Sequence, residues 1–147
     1  MLSVMRSVLA LLGLLVLSSL AYGQAAPALK LGDIQGQGGK QLTAAELREF
    51  LPGTKVRSAD KNYIRYWENN ADGKLLASAN SIVPGRGRSQ AMGTWHLADN
   101  GTYCVQLEWM SVTESWCRFV FKLGDKYYLF TSATNQAGYA WEIGFSR

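Results

Sequence analysis

The sequence predicts an all-β protein: an antiparallel eight-stranded meander barrel with one short N-terminal helix. Three observations carry this expectation. Beyond Gly53, apolar and polar residues alternate with a period of two. The alternating runs are short, and Gly, Asn and Asp combinations suited to tight hairpins separate them. The two cysteines, Cys104 and Cys117, form an even pair in a chain that opens like an export signal, so a disulfide is the default reading.

Residues 1–23 read as a signal peptide. Arg6 supplies the positive start, and residues 7–21 form an uncharged apolar run. Ala21-Tyr22-Gly23 places small residues where a signal peptidase needs them, so cleavage is expected before Gln24, with a second candidate cut two residues later. The apolar run is shorter than the roughly 20 residues of a spanning helix, which favours removal over a retained anchor. No cysteine follows it that could carry a lipid, and no other run approaches spanning length. The expected location is periplasmic or secreted, with no stable membrane insertion. Net charge is only +4 and the basic residues are scattered, which gives no nucleic-acid signature.

Residues 24–41 read as a flexible linker, with an Ala-Pro segment and Gly36-Gln37-Gly38-Gly39 and few apolar groups. Residues 42–147 then form a single β-barrel domain. Its helix begins at Thr43, whose hydroxyl and the Glu46 carboxylate have the spacing of a capping box. Leu47, Phe50 and Leu51 share one face, Leu42 is placed to staple against Leu47, and Pro52-Gly53 ends the helix. So short a helix needs docking, and plugging one end of the barrel provides it.

The strands are expected at 54–59, 62–68, 74–82, 89–97, 102–109, 115–123, 126–132 and 139–145, with turn chemistry at 69–73, 99–101 and 124–125. Closure into a barrel would remove the exposed edges. Parity then assigns faces. Ile64 and Tyr66, Trp95 and Leu97, the set Tyr103, Val105, Leu107 and Trp109, the set Phe119, Phe121 and Leu123, and the set Trp141, Ile143 and Phe145 are expected inside. Arg65, His96, Gln106, Glu108, Arg118, Lys122 and Glu142 fall on the opposite face. An outer-membrane barrel also alternates, but its strands run to about 9–11 residues, longer than most here.

The parity and the disulfide conflict. Cys104 lies on the polar side of its strand and Cys117 on the apolar side, yet bridged neighbours must share a face. A bulge near residues 110–113 would resolve this and leave Glu108 in water. The other resolution is a wrong face in one strand, in which case Gln106 and Glu108 would point inward.

Leu42-Thr43-Ala44-Ala45-Glu46-Leu47, Pro52-Gly53-Thr54, Asp72-Gly73, Gly93-Thr94-Trp95 and cysteines near Gly101 follow the export signal in that order. This arrangement resembles a family of small exported bacterial proteins of unknown function. Gly93-Thr94-Trp95 is also similar to the Gly-x-Trp signature of lipocalin-like (calycin-like) barrels, where the Trp plugs one end. There the motif sits on the first strand and here near the fourth. The resemblance implies a periplasmic or secreted barrel and no activity.

Signatures of catalysis are sparse. His96 is the single histidine, and no nucleophile elbow or phosphate-binding glycine loop occurs. A two-carboxylate hydrolase would need Glu108 and Glu114 facing across a cleft. Pro84-Gly85-Arg86-Gly87-Arg88 offers two guanidinium groups on a glycine-flanked loop. The aromatic surplus cannot all point inward, since Tyr127 and Tyr128 are adjacent, so some aromatic surface is expected for binding. Asn100-Gly101-Thr102 matches a glycosylation sequon but reads as hairpin chemistry. The expected function is a non-enzymatic envelope protein that binds a small apolar or amphiphilic ligand through Arg86, Arg88, Trp95, Glu108, Trp116 and Tyr128, with no cofactor or metal. The alternatives are a protein-interaction module or inhibitor acting through the Arg86/Arg88 loop on an envelope partner and, last, the carboxylate hydrolase.

Overall fold

The structure, a computed structural model, describes residues 27–147; the expected signal segment and both candidate cleavage sites lie outside the described residues. The elements follow in the order α1 (Leu31–Gly36), β1 (Lys40–Gln41), α2 (Ala44–Phe50), β2 (Lys55–Ala59), β3 (Tyr63–Glu68), β4 (Lys74–Ser81), β5 (Arg88–Leu97), β6 (Tyr103–Glu108), β7 (Thr113–Leu123), β8 (Lys126–Phe130) and β9 (Trp141–Ser146). From β2 to β9 each strand pairs antiparallel with the next, and β9 returns to β2. This is the expected closed meander of eight strands, with strand ends displaced by a residue or two. The extra strand β1 pairs with β7 at Phe121 and Lys122, beyond the reach of β6.

Residues 30–41 correct the linker expectation. Leu31 and Ile34 are fully buried, and α1 seats them on Phe121, Tyr128 and Phe130 outside the barrel. Gly39 lies so close to Ile34 that a Cβ there would meet its Cγ2 at 2.5 Å. Few apolar residues suffice here, because the outer face of β7 and β8 already carries aromatic rings that need cover.

Two face assignments are also corrected. In β3 the inward residues are Tyr63, Arg65 and Trp67, while Tyr66 is 41% exposed. In β7 the inward residues are Glu114, Trp116, Arg118 and Val120; Phe119 and Phe121 point outward beneath α1. The cysteine conflict disappears as a result. Cys104 and Cys117 are directly opposite in an unbroken register, bridged on the outer face with Cα atoms 4.0 Å apart. No bulge is needed, and Gln106 and Glu108 both point outward, exposed.

The plug forms as expected. Thr43 caps α2: its hydroxyl accepts from the Glu46 amide at 3.2 Å, and its own amide donates to Glu46 Oε2 at 2.7 Å. Leu47 and Leu51 are fully buried at the barrel end, and Phe50 stacks on Tyr127 with an edge contact to Phe145. Behind the plug, Trp67, Tyr103, Trp116 and Trp141 pack edge to face or tilted through the middle of the barrel. Gly93 is required in β5, since a Cβ would lie 2.0 Å from the Gln106 carbonyl oxygen.

A chain of buried hydrogen bonds ties the plug to the wall. Trp67 Nε1 donates to the Tyr103 hydroxyl at 3.0 Å, which donates to Asn69 Oδ1 at 2.8 Å. Asn69 Nδ2 donates to Thr54 Oγ1 at 3.1 Å, and Thr54 Oγ1 donates to the Leu51 carbonyl at 2.7 Å. Burial pushes the Tyr103 hydroxyl well above the ordinary phenol range, against the opposing effect of its Trp67 and Asn69 hydrogen bonds, so it remains a donor.

Tyr103→Phe leaves the Trp67 indole and the Asn69 carbonyl unpaired, with an expected loss of about 1–3 kcal/mol by urea denaturation. The raised hydroxyl contributes stability that is complete below the free phenol value of about 10 and is lost as pH rises through the folded value. The variant should therefore lack this part of the alkaline limb, whereas equal stability and an equal alkaline limb would contradict the role of the hydroxyl. Reduction of the Cys104–Cys117 bond should cost about 3 kcal/mol, read as a lower urea midpoint with the far-ultraviolet spectrum of the barrel retained. An unchanged midpoint would contradict this.

Candidate functional site

At the end opposite α2, the turns at 60–62, 82–87 and 109–112 and the loop at 131–140 surround an opening. A cavity of about 330 Å³ lies within it, walled chiefly by Tyr63, Arg65, Ala79, Ser89, Trp109 and Glu114. Met110 and Val112 stand on its rim, fully exposed and 60% exposed. The cavity goes no deeper because the packed tryptophans fill the barrel behind it.

Arg65 is the hub. Asp60 shapes the β2–β3 turn by accepting the amides of Asn62 and Tyr63 at 2.7 and 2.9 Å on Oδ1. Its Oδ2 pairs with Arg65 Nη1. The Arg65 guanidinium also lies over the Tyr63 ring, 5.5 Å from its centroid. On the other side Glu114 Oε2 lies 3.9 Å from Arg65 Nε and accepts from the Trp109 indole at 3.3 Å. One cation thus faces two carboxylates. Burial pushes the Asp60 carboxyl up, but the Arg65 hydrogen bond, the two turn amides and the Arg65 charge outweigh it and hold the group below its ordinary value.

Two polar atoms remain unused. Among the described residues, Ser58 Oγ and Arg65 Nε are the buried side-chain atoms with no hydrogen-bond partner. Ser58 is 1% exposed and pairs directly with Arg65 across β2 and β3, so both lie on the inner face. A buried donor left unpaired costs about 1–3 kcal/mol.

The residues expected from sequence do not converge. Arg86 and Arg88 are exposed on the β4–β5 hairpin and at the start of β5, and Arg88 borders an outer groove with Tyr66 and Gln90. Trp95 is core, its indole donating to the Asn70 carbonyl at 2.8 Å. Trp116 packs inside the barrel, Tyr128 is buried outside it under α1, and Glu108 stands outward beside Met92 and Met110. Glu108 and Glu114 lie on opposite faces of the sheet, so they do not face each other across a cleft. Arg65, Asp60, Tyr63 and Trp109 were missed as site residues. Asp60 ahead of Asn62 and Tyr63, with an arginine five positions on, is the one signal in the sequence that points to them.

Among the described residues no three His, Cys, Asp or Glu side chains gather to hold a metal ion, and no helix is long and apolar enough to cross a membrane.

The stability that the Asp60 charge contributes is complete above the ordinary aspartate value of about 4 and is lost as pH falls through the lower folded value. Asp60→Asn should remove that part of the acid limb in a pH series of thermal melts. An acid limb identical to wild type would show that the Arg65–Asp60 pair contributes nothing.

No protein-family model, curated protein or solved structure matches the chain.

Proposed function

We propose that this is an exported, non-enzymatic binding protein that holds a small amphiphilic ligand in the barrel mouth. One observation carries the reading: the barrel is plugged by α2 at one end and at the other opens on a cavity of about 330 Å³ that combines apolar walls with an inward arginine. That volume is at the small end of ligand sites, which run from about 300 to 1,000 Å³. Trp109, Ala79, Val112 and Met110 suit an apolar body, while Arg65, Glu114 and Ser89 suit a polar head. The leader-like start and the Cys104–Cys117 bridge support action outside the cytoplasm, periplasmic or secreted. The outward Glu108 removes the Glu108–Glu114 pair that the hydrolase alternative invoked. A second reading, docking of an envelope protein, draws on Arg86 and Arg88, both exposed on a hairpin at this same end.

Trp109 lies in the cavity and provides the readout. Titration with eight-carbon amphiphiles should give a saturable change in tryptophan fluorescence, with Kd between roughly 10 µM and 1 mM for ligands of this size. Ser89→Trp, at an exposed position on the cavity wall, should weaken binding at least about tenfold by filling the space. A signal that never saturates, or one that Ser89→Trp leaves unchanged, would remove the mouth as the binding site.

A further inference from the structure

We infer that the open end of the barrel docks reversibly on a membrane surface rich in anionic lipid, with the connections around the mouth as the contacting surface. This goes beyond ligand binding in the mouth and does not depend on it.

The two ends of the barrel differ in a way that orients the molecule. Seven large hydrophobic side chains are exposed among the described residues, and four of them, Ile82, Met110, Val112 and Tyr139, lie in connections at the open end. The other three stand on the walls, in β3, β4 and β5. The hairpin turns of the α2 end, at 69–73, 98–102 and 124–125, carry none. Charge follows the same axis. Each α2-end turn exposes an aspartate: Asp72, Asp99 and Asp125. At the open end Asp60 and Glu114 are both turned on Arg65. Lys61 in the β2–β3 turn, and Arg86 and Arg88 on the β4–β5 hairpin, are exposed and pair with no carboxylate among the described residues. Glu108, outward at the end of β6, stands behind this rim on the wall rather than in a turn.

Apolar tips set among unpaired cations match the interfacial layer of a bilayer. There the tips enter the boundary between headgroups and chains, while guanidinium and ammonium groups meet lipid phosphate. The acidic α2 end of a second copy has the complementary charge, but its turns present no exposed large hydrophobic side chain to cover Ile82, Met110 and Val112. Those tips would stay in water. Docking through this rim faces the mouth toward the lipid.

Flotation of the protein with phosphatidylcholine vesicles, with and without about 30% phosphatidylglycerol, tests this. At about 0.1 M salt the anionic vesicles should bind roughly a hundredfold more tightly, about fivefold for each of the three cations. The preference should shrink steeply toward 1 M salt. Arg86→Gln with Arg88→Gln should weaken binding to anionic vesicles roughly twentyfold. Ile82→Ser with Met110→Ser should weaken it roughly tenfold at unchanged charge. All four positions are exposed, and near-ultraviolet circular dichroism checks that each variant is folded. Absence of flotation with anionic vesicles, or equal binding to both kinds, would overturn the proposal. So would self-association without lipid that either double variant abolishes, which would assign the rim to a second copy. Neither arginine lines the cavity, so amphiphile titration of the arginine variant reports on the mouth separately.

Discussion

The floor of this barrel hangs on the Tyr103 hydroxyl. It is the joint between an indole from β3, an amide from the β3–β4 turn and, through Thr54, the last turn of the plug helix. Each member is buried, so removing one leaves another without water to replace it. That coupling fixes how α2 sits on the barrel. Leu47, Leu51 and Phe50 then close that end, and the tryptophans stack behind them. An eight-stranded barrel has an interior only just large enough for side chains. With that volume committed at one end, space is left only at the other.

What remains at the open end sets a charged cluster among apolar walls, and the charge is there through an inversion of the usual pattern. Arg65 occupies an inward position because Asp60 and Glu114 flank it and Tyr63 lies beneath it. Phe119 and Phe121 occupy outward positions because α1 covers that face. Both exchanges obey the same rule: a side chain faces the environment that satisfies it, whichever side of the sheet that is. The disulfide on the outer face agrees with the same register.

The strands and turns were legible in the sequence because their signals are local. Gly101 and Gly124 adopt positive φ in hairpins where turn chemistry demanded it, and the capping box at Thr43 and Glu46 formed as spaced. The faces of β5, β6 and β9 followed from alternation alone. Those of β3 and β7 did not, since parity cannot tell an arginine in water from one paired inside, nor a core phenylalanine from one beneath a distant helix. The helix α1 escaped notice because two apolar residues among glycines look like a linker until the surface they cover is known. The site was illegible for the same reason: Arg65, Trp109 and Glu114 meet only when the strands close into a ring.

Hydrogen exchange of the indole N–H protons, resolved by nuclear magnetic resonance, tests most directly whether the barrel is sealed at one end and open at the other. The Trp67 indole is bonded to Tyr103 in the buried floor, and the Trp109 indole is bonded to Glu114 at the mouth. The expected result is a Trp67 proton that exchanges only with global unfolding and a Trp109 proton that exchanges far faster. Equal rates for the two, or a faster Trp67, would mean that water enters at the α2 end and would contradict the sealed floor.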